Sequence, residues 1–233
     1  MTDWREKYLN KVTCGDCLEL MRDLPDGCVD AVVTDPPYGK RPCRGKNGFG
    51  TCHHLRYEPK DDKWDKLVSK PYIDSLLRVG KNQVVWGGAY YTNYLPPSNC
   101  WLIWDKLMFG ASPYADLEMA WTNYNSVSKI YRLRHCGFVT DVKDGDYHPT
   151  QKPIELMEWV LSNYTPPDAI ILDPFIGSGT TAVAAIRTGR QFIGFEIDPH
   201  YCEIANRRIA DEQAKIPIPF KEYEKPEQTA LPI

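Results

Sequence analysis

One stretch of the chain leaves little room for anything but a parallel sheet flanked by helices. Ala169-Ile-Ile-Leu-Asp173 is an apolar run of strand length, and a turn holding Gly177 and Gly179 follows it. Thr180-Thr-Ala-Val-Ala-Ala-Ile-Arg-Thr188 then reads as helix, with Gly189 as its left-handed stop. Gln191-Phe-Ile-Gly-Phe-Glu196 returns as a strand, and a second helix opens on Pro199 and runs to about Ala214. A helical crossover brings the chain back to the same end of the sheet, so consecutive strands are parallel and the fold class is a doubly wound α/β sheet. Asp30-Ala-Val-Val-Thr-Asp35 is another β-branched run, closed by Pro36 and Pro37. Further strands are expected at 83–86, 101–104 and 117–121, and helices near 16–22, 70–77 and 153–164. If 169–173 and 191–196 are neighbours, the next strand must come from the N-terminus, near 11–13. The chain ends then lie close together, as a circular permutation allows.

At 233 residues, 42% of them hydrophobic, the chain fits a single domain spanning 1–233. It has no run of 18 apolar residues and no apolar leader after Met-Thr-Asp-Trp-Arg-Glu-Lys, so neither a membrane span nor a signal peptide is expected, and the cytoplasm is the expected location. The eight cysteines are scattered. Cys14-x-x-Cys17 has no second pair, only Cys52, His53 and His54 as clustered company, and structural zinc ordinarily shows four ligands in paired spacing; no metal is expected. The net charge of −3 does not advertise a partner, but its distribution does. Lys40, Arg41, Arg44, Lys46, Arg56 and Lys60 face only Glu58 between residues 40 and 60. Such a run is ordinarily a solvated loop, and 39–66 lacks any periodicity. The tail 215–233, with four prolines, reads as irregular.

The turn Asp173-Pro-Phe-Ile-Gly-Ser-Gly-Thr-Thr181 describes a nucleoside site. Gly177 and Gly179 let the backbone approach a ligand without a Cβ in the way. Glu196, at the end of the next strand, is placed to accept both hydroxyls of a ribose. The spacing alone also fits NAD, with Ala182 at the third glycine position. Asp173 would repel a pyrophosphate but suits a cationic amine, and S-adenosylmethionine carries an amine, a ribose diol and no phosphate.

Asp35-Pro36-Pro37-Tyr38 ends a strand that should open at the same sheet edge. Two prolines alone would be an ordinary turn, rigid because each ring fixes its φ. The acid before them and the ring after them suit a particular task. The exocyclic amine of adenine or cytosine is a poor nucleophile, its lone pair being delocalised. The Asp35 carboxylate and the Pro36 carbonyl, accepting its two N–H bonds, would draw the nitrogen towards sp³, and Tyr38 offers a face for the base.

These motifs resemble the amino-group DNA methyltransferases, and their order, DPPY before DPFxGxGTT, resembles that of the β class. The resemblance covers most of 11–210, including Gly15-Asp16, Trp64-Asp65 and His148-Pro-Thr-Gln-Lys-Pro153. It implies a mostly parallel seven-stranded, Rossmann-like methyltransferase sheet, circularly permuted, with a small inserted target-recognition region. It implies S-adenosylmethionine bound along Asp173, Phe175, Gly177, Ser178, Gly179, Thr180, Thr181 and Glu196, with Asp16 near the adenine and His148, Thr150 and Lys152 near the methionine end. It also implies a double-stranded DNA partner whose target base is flipped out, and dimers are common in the family. The loop 39–66, with Lys40, Arg41, Arg44 and Lys46, is the expected mobile DNA-contacting segment. Target recognition is expected in 106–147, from Lys129, Arg132, Arg134 and Lys143 among Tyr114, Tyr124 and Tyr131, although Trp121 and Tyr131 fit core packing equally well. An acid at the first motif position favours N6 of adenine over N4 of cytosine. RNA as substrate, a catalytically inert binding module and an NAD-linked oxidoreductase are the weaker readings. Pro42-Cys43 evokes cytosine C5 chemistry, which works through a thiolate and has no use for Asp35.

Overall fold

The computed structural model describes residues 3–37, 67–108, 115–136, 139–140 and 151–215. In chain order the strands are β1 (Lys11–Cys14), β2 (Val29–Thr34), β3 (Gly80–Trp86), β4 (Trp101–Asp105), β5 (Leu117–Thr122), β6 (Lys129–Arg132), β7 (His135–Cys136), β8 (Val139–Thr140), β9 (Ile170–Asp173) and β10 (Gln191–Glu196). The helices are α1 (Trp4–Tyr8), α2 (Cys17–Leu20), α3 (Lys70–Val79), α4 (Ile154–Tyr164), α5 (Thr180–Arg187) and α6 (Pro199–Gln213).

Eight strands form one sheet in the order β1-β10-β9-β2-β3-β5-β4-β6, one more than the seven expected, and β7 pairs with β8 alone. The additional strand is β6, four residues at the sheet edge beyond β4. All neighbours are parallel except the two pairs that β5 makes, with β3 and with β4. The N-terminal strand pairs with β10, Lys11 opposite Ile193 and Cys14 opposite Glu196, the place expected for a strand drawn from near 11–13.

Both faces are buried, which is why β2 reads as a continuous apolar run rather than an alternation. Ala31 and Val33 pack with Leu156, Val160 and Val183 of α4 and α5 on one face. Val32 packs with Ile73, Leu76 and Phe195 on the other, under α3. Helix ends follow the sequence: Asp16 caps α2 through Leu18 N–H at 2.8 Å, and Asp198 caps α6 through His200 N–H at 2.8 Å. No helix among the described residues is long and apolar enough to cross a membrane, and no group of three or more metal-ligating side chains occurs among them.

Candidate active site

In a doubly wound sheet the loops after the carboxyl ends of the parallel strands form the natural ligand crevice. Here the strand order sets Asp16 after β1, Glu196 at the end of β10, the glycine turn after β9 and Asp35 after β2 along one edge. The glycine turn is folded tightly. Gly177 and Gly179 have φ of 52° and 90°, in the left-handed region, and a Cβ on Gly179 would stand 3.1 Å from the Ala205 backbone in α6. Glu196 Oε2 accepts the Gly177 N–H at 2.9 Å and Oε1 accepts the Asp198 N–H at 2.9 Å. Burial lifts its carboxyl above the usual carboxylate range, against those two N–H bonds. Asp16 Oδ2 accepts the Tyr72 hydroxyl at 3.1 Å, and the Tyr72 and Phe175 rings lie 6.3 Å apart, so an aromatic wall flanks the two acids.

Asp173, expected to face a ligand amine, takes three donors from the protein itself. Oδ1 accepts the Thr34 hydroxyl at 2.7 Å and the Phe175 N–H at 3.1 Å, and Oδ2 accepts the Thr181 hydroxyl at 2.6 Å. It is a buried tie between β2, β9 and α5. Burial nevertheless pushes its carboxyl up to about 6. Ser178 donates to Gln151 Oε1 at 3.0 Å, and the buried Arg208 of α6 donates to the Ser178 carbonyl at 2.7 Å and hydroxyl at 2.9 Å. Thr180 and Thr181 are buried at the start of α5, Thr180 Oγ1 lying 3.4 Å from Arg208.

Asp35 stands beside this tie. Lys152, which sequence reasoning set at the methionine end of a cofactor, pairs with Asp35 Oδ2. Its ammonium also lies 3.0 Å from Glu118 Oε2, and Lys106 lies 2.5 Å from Glu118 Oε1. Asp35 Oδ1 is buried with no hydrogen-bond partner among the described residues. Burial raises the Asp35 carboxyl above its ordinary range; the Lys152 cation opposes this and the Glu118 anion adds to it. Burial would raise Glu118 too, but Lys152 and Lys106 hold it down to about 2. Pro36 is buried, and the Pro37 carbonyl accepts the hydroxyl of the buried Tyr91 at 2.5 Å, fixing the turn.

Glu118 and Tyr91 gave no signal of their own in the sequence. Because β5 runs against its neighbours, its first residues, not its last, reach the crevice edge: Glu118 stands opposite Trp104 near the end of β4. Of the expected DNA-contacting bases, Lys129 and Arg132 are exposed on β6, where Arg132 lies 3.3 Å from Asp105, and Arg134 is half-buried just beyond. Trp121, Tyr124 and Tyr131 of that region serve packing. Trp121 is buried in β5 with its indole on the Pro96 carbonyl at 2.8 Å, Tyr131 stacks on Trp159 at 5.1 Å, and Tyr124 donates to the Tyr164 carbonyl. Tyr38, Lys40, Arg41, Arg44, Lys46, Lys143, Tyr114, His148 and Thr150, the loop 39–66 and nearly all of the tail lie outside the described residues.

A parallel sheet carrying a glycine turn, an acid on the next strand and a Pro-Pro turn beside them defines a methyltransferase-like fold. The DNA methylase family model matches residues 54–207, more than half of the chain. The chain is 30% identical over 220 residues to the YubD protein of Escherichia coli (strain K12), covering 85% of this chain and 89% of that protein. It is 26% identical over 251 residues to the Type II methyltransferase M.HinfI of Haemophilus influenzae, covering 88% of this chain and 69% of the relative. The crystal structure of the M1.HpyAVI–SAM complex superposes with a TM-score of 0.53 at 26% identity, covering 85% of this chain and 98% of that one. The chain therefore belongs to the N6/N4 DNA methylases, the amino-group DNA methyltransferases that use S-adenosylmethionine.

Proposed function

We propose that this methyltransferase modifies N6 of adenine in double-stranded DNA, with Asp35 as the acceptor for the target amine. The observation that carries the reading is an unpaired buried oxygen: Asp35 Oδ1 has no hydrogen-bond partner among the described residues, next to a folded cofactor-type turn. A buried acceptor left unpaired costs roughly 1–3 kcal/mol, and an exocyclic N–H brought to it removes that cost. The Tyr91 bond holds the Pro37 carbonyl and so the turn, leaving the Pro36 carbonyl as the second acceptor of the motif. Lys152 on Oδ2 favours the ionised form of Asp35, the form able to accept.

The chain's residues fit S-adenosylmethionine by the chemistry of their donors and acceptors. Each Glu196 oxygen uses one lone pair on backbone N–H and keeps another for a ribose hydroxyl, and Asp16, Tyr72 and Phe175 border the same crevice. When bound, the cofactor supplies an electrophilic methyl group. Asp173, bound by hydroxyls of Thr34 from β2 and Thr181 from α5, is assigned to holding the turn, with one lone pair of Oδ2 left over. Gly177, Ser178, Gly179, Thr180 and Thr181 shape that turn.

The acid at position 35 supports adenine over cytosine, by the family pattern. Lys129 and Arg132 offer exposed positive charge for the DNA backbone beside the crevice. The test is mass spectrometry of nucleosides from DNA treated with the protein and methyl-labelled S-adenosylmethionine. Labelled N6-methyldeoxyadenosine is the expected product. Labelled N4-methyldeoxycytidine would overturn the base assignment, and no label in DNA would overturn the activity.

A further inference from the structure

We infer that Glu118 is a positioning residue for methyl transfer: clamped by Lys106, it anchors the Lys152 ammonium so that only one oxygen of Asp35 is covered and the other stays open for the target amine. The inference rests on Asp35 being the amine acceptor. Its own ground is a four-member charge chain. Lys106 sits 2.5 Å from Glu118, Glu118 3.0 Å from Lys152, and Lys152 pairs with Asp35. Lys106 is also braced over the Trp104 ring at 4.8 Å, so the outer end of the chain is held by apolar packing. The side chains of Lys152 and Asp35 are only 7% and 17% exposed, so water does little to screen the array.

A lone ammonium beside a buried carboxylate would be drawn towards both of its oxygens and would compete with the substrate amine. A second anion on the far side divides the attraction and holds the nitrogen at Oδ2. The charged groups facing Asp35 among the described residues are Lys152 from the segment before α4, Glu118 from β5, Lys106 after β4 and Asp173 from β9. Glu118 and Lys152 push on the same carboxyl in opposite directions, so their removal should have opposite effects.

The experiment compares the wild type with Glu118→Gln and Lys152→Met. In Glu118→Gln, kcat is expected to fall about tenfold, with S-adenosylmethionine affinity by calorimetry changed less than about threefold. The acid limb of its kcat–pH profile should move to lower pH by about one unit. In Lys152→Met the same limb should move to higher pH. A merely structural loss lowers amplitude in both variants without moving the limbs apart. Carbon NMR titration of the Asp35 carboxyl reads the same two directions without turnover, so an inactive variant still decides. Unmoved Asp35 titration in Glu118→Gln, or shifts of one sign in both variants, would overturn the inference. A wild type that methylates no DNA would sink the proposed function instead, and the NMR titration would then judge the Glu118 anchor alone.

Discussion

Two carboxylates end adjacent strands, and their surroundings differ in kind. Asp173 takes two hydroxyls and a backbone N–H, all within 3.1 Å, and joins three elements of the core. Asp35 has one cation on one oxygen and nothing described on the other. Asp173 is buried and Asp35 half-buried, and desolvation raises both. The difference teaches how to separate a structural acid from a chemical one. A carboxylate whose two oxygens take core hydroxyls holds the fold together, whereas one kept short of partners is held ready for a ligand that brings its own donors.

The widest test of this contrast is Asp35→Ala. Methyl transfer should fall by about three orders of magnitude or more, while cofactor affinity stays near that of the wild type; loss of cofactor binding would erase the distinction. Asp173 answers to pH instead. Its folded carboxyl lies at about 6, above the ordinary value near 4, so the folded state keeps a proton that the unfolded chain has released. Stability should therefore fall as pH rises from about 4 to 6, by roughly 3 kcal/mol in all. Denaturation at a series of pH values should show that slope flattened in Asp173→Asn, and an unchanged slope would mean that another group carries it. Glu196→Ala removes a charged acceptor facing the crevice, and calorimetry should show cofactor affinity weakened about 10–100-fold. The smallest effect is expected from Arg208→Met, which strips the Ser178 carbonyl of its buried donor. About 1–2 kcal/mol of stability should go, seen as a fall in Tm of a few degrees.

How much could be read beforehand depended on whether a residue's partners lie nearby in the chain. The strands β2, β9 and β10 announce themselves as apolar runs, and the glycine turn is a local object whose backbone demands fix its residues. Pairing of β1 with β10 followed from the order of the elements alone. By contrast β6 shows almost no burial pattern, because an edge strand buries little. Glu118 looks like any charged residue on a strand. Its role depends on β5 running antiparallel, and no residue within β5 records that direction. Arg208 lies 30 residues from Ser178, Tyr91 lies 54 from Pro37, and neither spacing has a periodic trace. For Asp173 the charge argument pointed to a ligand amine, and it gave no hint of the two hydroxyls on its oxygens, one of them from Thr34 on another strand.

The junction of β1 with β10 also sets a clock. Asn10 bonds to Phe192 across 182 residues, and the Gly15 N–H reaches the Glu196 carbonyl beside the crevice. A ribosome making this chain releases Asp16 long before Glu196, 180 residues later. The crevice wall between them is completed only once the strands that lie between them in the chain have been synthesised, and closing so long a loop is slow. The early-made β1 must therefore wait, unpaired on this side, for its neighbour to emerge, and the crevice wall between Asp16 and Glu196 cannot close before β10 has been made.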